Sequence, residues 1–337
     1  MTSRARALSN FLKPTESALM PVGTTAQRPA NPEAGMIRFN TDEGYIEGWD
    51  AVTNEWRDIN KITGVVADGG TVTDITQDGK QYRVHTFTSD GTFEVVRGGE
   101  VEYLVVAGGG SGGDGGNGAG GGGGAGGVLQ GFASVTKSQS LSVQVGNGGA
   151  GASRNNGENS FFGSLVAIGG GSGGTPSVDG AVGGSGGGGS GSTTSEGSSN
   201  GGAGTSGQGN PGGNARAPSN TDSQRASGGG GGAGQSGANG VTGKSGDGGD
   251  GMYVDWADIA GLGENGYFAG GGGGGVRTQA TPGIGGLGGG GDGGSFDPSV
   301  PATPGQPNTG GGGSAARTTS EITAGGSGIV IVRYRIG

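Results

Sequence analysis

Residues 101–113 read VEYLVVAGGGSGG. Seven strand-like, mostly apolar residues run without a break into glycine, and glycine then dominates the chain that follows. This junction decides the fold, because the glycine is either a flexible tether or an ordered structure in its own right. Eleven of the 94 glycines lie before residue 104, which leaves 83 in the next 234 residues. Average usage is only about 7%. Two regions with different physics therefore share one chain.

Three readings of the tract compete. Collagen needs glycine at strict period three and proline at about 15–20% or more. Here 12 prolines serve 337 residues and the runs are irregular, as in GAGGGGGAGG. A tether is the default for any Gly/Ser-rich stretch. Against it stand isolated apolar positions that a tether does not use: Val128, Leu129, Phe132, Leu165, Ile168, Val254, Trp256, Tyr267, Phe268, Ile284, Leu287 and Phe296. Residues 101–107 and 329–336 bracket the tract. Both are apolar at most positions, as central strands covered on both faces are, and their placement predicts that they pair to close the domain.

The third reading is a set of extended left-handed glycine helices with three residues per turn, packed side by side. Without Cβ atoms, backbones approach closely enough for each N–H and C=O to bond to an adjacent helix. Ordering one glycine costs about 1–2 kcal/mol. A net backbone hydrogen bond returns about 0.5–1.5 kcal/mol. Such a bundle holds only if nearly every backbone group is paired and flanking strands keep the helices in register.

Ahead of the tract, residues 1–20 form an arm with one or two helical turns expected around residues 5–12, ended by Pro14. Residues 21–61 read as a small β module. Pro21, Pro29 and Pro32 favour extended backbone, and GMIRFNTDEGYIEGWD reads as a hairpin turning at TDEG. Trp49 and Trp56 are expected to cover one face of it. Residues 62–78 read as a linker with strand character, and residues 79–337 as the glycine-rich domain. Strands are expected at 82–88, 92–96 and 101–107, with turns at SDG and RGGE, and further on at 140–145, 161–168 and 328–336.

Two resemblances follow from these segments. PVGTTAQRPANPEAGMIRFNTDEGYIEGWD, followed by EWRDI, is similar to a short module of tailed-bacteriophage structural proteins. HTFTSDGTFEV…YLVVAGGGSGG, GENSFFGSLVAIGGGSGG, GYFAGGGGGG and TGGGGSAA…GGSGIVIVRY occur in that order between His85 and Tyr334. The set resembles the glycine-rich domain of phage tail adhesins and fibre proteins. The resemblance implies a mainly β chain, with a small N-terminal β module and a β-sandwich-like scaffold carrying packed polyglycine II helices. It also implies a non-enzymatic subunit on the virion surface, assembled in the host cytoplasm as a homotrimer. Its partners would be other tail or capsid proteins and a host-surface glycan or outer-membrane protein. A head fibre or capsid decoration protein is the alternative attachment, and a disordered glycine-rich matrix protein the alternative class. On the arm, Arg4, Arg6, Phe11 and Leu12 are the candidate attachment residues.

Composition and motifs bound the chemistry. A net charge of −9 argues against a nucleic-acid partner. The absence of cysteine excludes disulfides and thiolate metal sites. The first twenty residues contain no apolar signal core, and no cofactor motif stands out. ANGVTGKS at residues 238–245 fits a loose phosphate-loop pattern, but neither a strand before it nor a helix after it is expected. His85 is the single histidine and reads as a strand residue. Asp247, Asp250, Asp255 and Asp258 form the nearest thing to a carboxylate cluster, and solubilising turns fit them better than a calcium site. No carboxylate pair can be nominated for glycan cleavage. The island GMYVDWADIAGLGENGYF at residues 251–268 holds Tyr253, Trp256, Tyr267 and Phe268. Those rings either pin the bundle as a local core or offer a platform to a receptor. The Ser/Thr/Asn-rich residues 190–227 read as surface loops, a second candidate for contact.

Overall fold

The near-continuous apolar runs of the two bracketing strands translate directly into two covered faces. The computed structural model describes residues 20–59, 64–115, 119–151, 154–176, 178–191, 199–216, 225–276, 280–295, 299–315 and 323–336. The expected helical turn and the attachment residues Arg4, Arg6, Phe11 and Leu12 lie outside them, as does Phe296.

The N-terminal module is a four-stranded sheet. Strands β1 (Val22–Gly23), β2 (Ile37–Asn40), β3 (Tyr45–Asp50) and β4 (Glu55–Asp58) lie in sequence order, with β1 parallel to β2 and the rest antiparallel. Trp49 and Trp56 are register partners with ring centroids 5.9 Å apart, each half-buried. Beside them sits the fully buried Glu47, which accepts hydrogen bonds from Arg28 (Nη2, 2.6 Å) and Asn40 (Nδ2, 2.9 Å). Burial works to raise its carboxyl pKa, and the Arg28 and Asn40 bonds overcome that and hold it below the ordinary value. Asp50 joins the module to the rest through Arg97 at 2.9 Å, and Arg57 donates to the Ile336 carbonyl at 2.9 Å.

The larger domain is a sandwich of two five-stranded sheets. Its strands are β5 (Val66–Asp68), β6 (Thr71–Gln77), β7 (Lys80–Phe87), β8 (Gly91–Arg97), β9 (Gly99–Val106), β10 (Val128–Val135), β11 (Ser140–Gln144), β12 (Ser160–Phe162) and β13 (Leu165–Ala167). A small hairpin, β14 (Met252–Tyr253) and β15 (Tyr267–Phe268), encloses helix α1 (Asp255–Ile259), and β16 (Ile329–Arg335) comes last. One sheet has the order β10-β9-β16-β7-β6 and the other β13-β12-β11-β8-β5. As expected, β9 and β16 pair at the centre, antiparallel, with Ile329 opposite Val106 and Val332 opposite Tyr103. Val101, Val105, Val330, Val332 and Tyr334 face the second sheet, while Leu104, Val106, Ile329 and Ile331 face the α1 island.

Several expectations are corrected. Residues 62–78 are not a linker: β5 pairs with β8 and β6 with β7, so the described part closes an edge of each sheet. The single strand expected at 161–168 is the hairpin β12–β13, folded back at Gly163, whose φ of +58° suits a tight turn. Val128, Leu129 and Phe132 belong to β10, an edge strand on which Val128 is buried and Leu129 packs against the core as anchors do, whereas Phe132 is 67% exposed. Ile284 and Leu287 are also exposed, so they do not anchor the bundle.

Glycine helices continue the strands at one end of the sandwich. The chain passes from β9 into Gly108, from β13 towards Gly169, and from Gly127 and Gly328 into β10 and β16. Their order is visible in the hydrogen bonds of residues 121–127. The N–H groups of Gly121, Gly124 and Gly127 donate to the carbonyls of Gly174, Gly171 and Ile168. Those of Gly122 and Ala125 reach Gly228 and Gly231, and those of Gly123 and Gly126 reach Gly313 and Gly310. The carbonyls of Gly121, Gly124 and Gly127 accept from Gly113, Gly110 and Ala107. Those of Gly122 and Ala125 accept from Gly188 and Ser185, and that of Gly123 from Gly272. Every step is three residues on both partners, so this is a three-residue-per-turn helix with six neighbours. None of Gly120–Gly124 has positive φ, as the left-handed polyproline II type of winding requires. Glycine is needed here for space: a methyl on Gly123 would overlap the Gly110 carbonyl oxygen and lie 2.7 Å from that of Ser111. Much of the described part of residues 190–227 belongs to this bundle rather than to surface loops, with Gly202 bonded to Gly187 and Gly213 to Gly229.

Gly123→Ala is therefore expected to destabilise the domain by about 3 kcal/mol or more. Gly207→Ala, in open space at a φ of +77°, is expected to cost only about 1 kcal/mol. Chemical denaturation of the two variants checks the contrast.

His85 gives a pH dependence of its own. It is fully buried, with Nδ1 2.7 Å from the Gly69 carbonyl oxygen and Nε2 3.1 Å from the Tyr334 hydroxyl. The carbonyl can only accept, so Nδ1 carries the proton and Nε2 accepts from Tyr334. Burial holds the imidazole pKa below its ordinary value of 6.5; Arg83 lowers it further, while the Gly69 bond, Asp68 and Asp74 act in the opposite sense. The unfolded chain thus binds the proton first, and stability falls as pH drops below about 6.5. Because the chain has one histidine, His85→Gln is expected to flatten the slope between pH about 6.5 and the folded-state pKa, measured by denaturant midpoints across pH.

Candidate functional site

The aromatic island at residues 251–268 is built on the outer face of the β9–β16 sheet. Val254 enters α1, where Asp255 Oδ1 accepts from the Trp256 N–H at 2.7 Å. Trp256 and Phe268 are fully buried against Leu104, Ile329 and Ile331. The Trp256 indole N–H donates to Glu102 Oε1 at 3.1 Å. Arg333 donates to Glu102 Oε2 at 2.7 Å and to Gln77 at 2.6 Å, and its guanidinium lies 4.7 Å from the Trp256 ring and 4.5 Å from the Tyr82 ring. Gln77 also donates to Asp255 Oδ2 at 2.8 Å, which ties α1 to β6. At the far side of the island, Glu264 Oε2 accepts the N–H groups of Gly288 (2.6 Å) and Gly289 (2.8 Å) and locks the hairpin to the glycine bundle.

This packing divides the four candidate rings. Trp256 and Phe268 are core side chains with no face left for a ligand. Tyr253 is 48% exposed and Tyr267 half-buried, their ring centroids 5.1 Å apart and tilted by 48°. The Tyr253 hydroxyl donates to Asp258 Oδ2 at 3.0 Å, and that bond raises its pKa. Asp255, Asp258 and Ile259 are exposed beside it. The result is a small platform of one open ring, a supporting ring and carboxylate acceptors. Stacking and hydroxyl recognition are within its reach.

The aspartates proposed as solubilising turns have a sharper role at the bundle's surface. Asp247 and Asp250 accept the N–H groups of Ile284 and Leu287, each at 2.9 Å. Asn156 and Asn159 do the same for Ser172 (2.9 Å) and Gly169 (2.8 Å). Both pairs keep the three-residue step, so these side chains stand in for the carbonyls of helices that are not there. Their spacing of three was the signal for them. Lys244, in the phosphate-loop-like stretch, pairs with Asp247 at 2.6 Å beside a turn at Gly243, with no helix following. Among the described residues no group of three or more ligands converges on a metal position. Glu102, Arg333 and Gln77, which hold the island in place, lie too far apart in sequence for any motif to show them.

A β-sandwich that clamps a polyglycine bundle defines a glycine-rich β domain in outline, and the sequence places it more closely. The chain matches the family model described as a glycine-rich domain over residues 86–335 and belongs to that family. No curated protein gives a significant match.

The two halves of the island respond differently to truncation. Trp256→Ala is expected to destabilise the domain by about 3–5 kcal/mol, whereas Tyr253→Ala stays within about 0.5 kcal/mol. Thermal unfolding of both variants makes the comparison.

Proposed function

We propose that the chain is a non-enzymatic structural protein of a tailed-phage virion, a tail-fibre or adhesin subunit that presents the glycine bundle to the host surface. The observation that carries this reading is a rigid bundle, bonded from helix to helix, that holds the Tyr253–Tyr267 platform on a fixed support. Loops and rings on a rigid scaffold bind with little ordering cost. The similarity of residues 21–59 to a virion module, and the acidic surface, support the same reading. A homotrimer attached to other virion proteins through the N-terminal arm fits it, with a host glycan or outer-membrane protein as the contacted partner.

Two measurements test the proposal. Antibody against the purified chain should label intact particles, at the tail for a fibre or at the capsid for a head fibre. Particles that carry none of the chain overturn the virion reading. Purified chain should bind host cells, and Tyr253→Ala should weaken that binding by about tenfold, the loss of one modest aromatic contact. Undiminished binding removes the platform from the contact surface and leaves the virion assignment standing.

A further inference from the structure

Six asparagine–glycine pairs occur in the sequence, beginning at Asn117, Asn147, Asn156, Asn200, Asn239 and Asn265. All but the first lie among the described residues. Asparagine is a thermolabile side chain, and a following glycine offers least obstruction to ring closure by its backbone nitrogen. The nitrogen must shed its proton to attack, so a hydrogen bond that holds the N–H slows the reaction. The structure supplies that bond at four pairs. Gly157 donates to the Gly170 carbonyl and Gly240 to the Asn214 carbonyl, both at 2.9 Å, and Gly266 to that of Leu262 at 3.2 Å. Gly201 donates to Asn214 Oδ1 at 2.9 Å. Gly148 donates to no described residue, although the next residue, Gly149, bonds the Gly109 carbonyl at 2.8 Å. Asn147 itself is exposed.

We propose that Asn147–Gly148 is a site of spontaneous deamidation, the fastest-ageing of the described asparagines. The Gly148 nitrogen bonds to Asn147 Cγ, the Cγ–Nδ2 bond breaks, and the amide proton leaves with the nitrogen as ammonia. Water then opens the five-membered imide at either carbonyl, leaving aspartate or isoaspartate at position 147. No oxidant, metal or enzyme enters the balance. The product disturbs a specific contact. Asn147 Nδ2 donates to Glu158 Oε2 at 2.9 Å, and a carboxylate in its place meets Glu158 with like charge. The isoaspartyl product also inserts one backbone carbon where β11 passes into the bundle. There Gly146 accepts from Gly328 and Asn147 accepts from Glu158, both at 2.9 Å. A lattice that repeats every three residues has no slack for that carbon.

The full chain is incubated in warm, mildly alkaline buffer and digested in heavy-oxygen water, which marks any conversion during digestion, and its peptides are followed by mass. Conversion at Asn147 should outpace Asn156, Asn200, Asn239 and Asn265 by about tenfold, the factor equivalent to one net backbone hydrogen bond. In denaturant the five rates should converge. Equal rates in the folded chain, or a native ranking that survives unfolding, overturns the proposal. Asn147→Asp should lower the melting temperature, and Glu158→Gln in the same chain should restore it. An Asn147→Asp chain as stable as its parent refutes the structural consequence.

Discussion

A helix of three residues per turn makes no hydrogen bonds within itself, and the whole domain follows from that constraint. Each N–H and each carbonyl must find its partner on another helix, at a distance that excludes a Cβ. Residues 121–127 meet the demand with six neighbours drawn from widely separated parts of the chain. No glycine helix can exist alone, and none can be added without bringing its own set of partners. The sandwich resolves this by extending its strands into the helices, so that strand register becomes helix register. At the surface, where a neighbouring helix is missing, Asp247, Asp250, Asn156 and Asn159 offer side-chain oxygens at the same three-residue step.

The aromatic island shows how one apolar cluster serves two ends. Its buried half, Trp256 and Phe268, covers the outer face of the central sheet and is fixed by Glu102 and Arg333. Its open half, Tyr253 and Tyr267, inherits that rigidity without contributing to the core. A contact surface so supported gains specificity from position rather than from adjustment.

Much of this was legible in the sequence because it rests on local pattern. Two-sided apolar strands at 101–107 and 329–336 announced a covered, paired centre, and they are β9 and β16. The irregular glycine runs, bracketed by those strands, pointed to helices bonded to one another. What could not be read was partnership across the chain. Most of the described part of the linker assigned to residues 62–78 is edge strand: β5 is short and pairs with the more distant β8, whereas β6 forms a hairpin with β7 across Asp78–Gly79, a turn pair that local pattern does show. Phe132, Ile284 and Leu287 looked like anchors by type but are exposed, since burial depends on which lattice row a residue ends. Of the four candidate rings, composition could not separate Trp256 and Phe268 from Tyr253 and Tyr267. Only the face of the sheet beneath them does that.

The position of β16 has a further consequence for how the molecule is made. It lies between β9 and β7, yet the ribosome delivers it more than two hundred residues after β9. Until then the central sheet has a gap, and the glycine chain between has neither register nor partners. Folding of the domain thus waits on synthesis of β16 and joins strands of very large sequence separation, a slow route by topology. Truncated products stop short of the strand that closes the sheet, so a nascent chain cut in the glycine tract yields no partial domain.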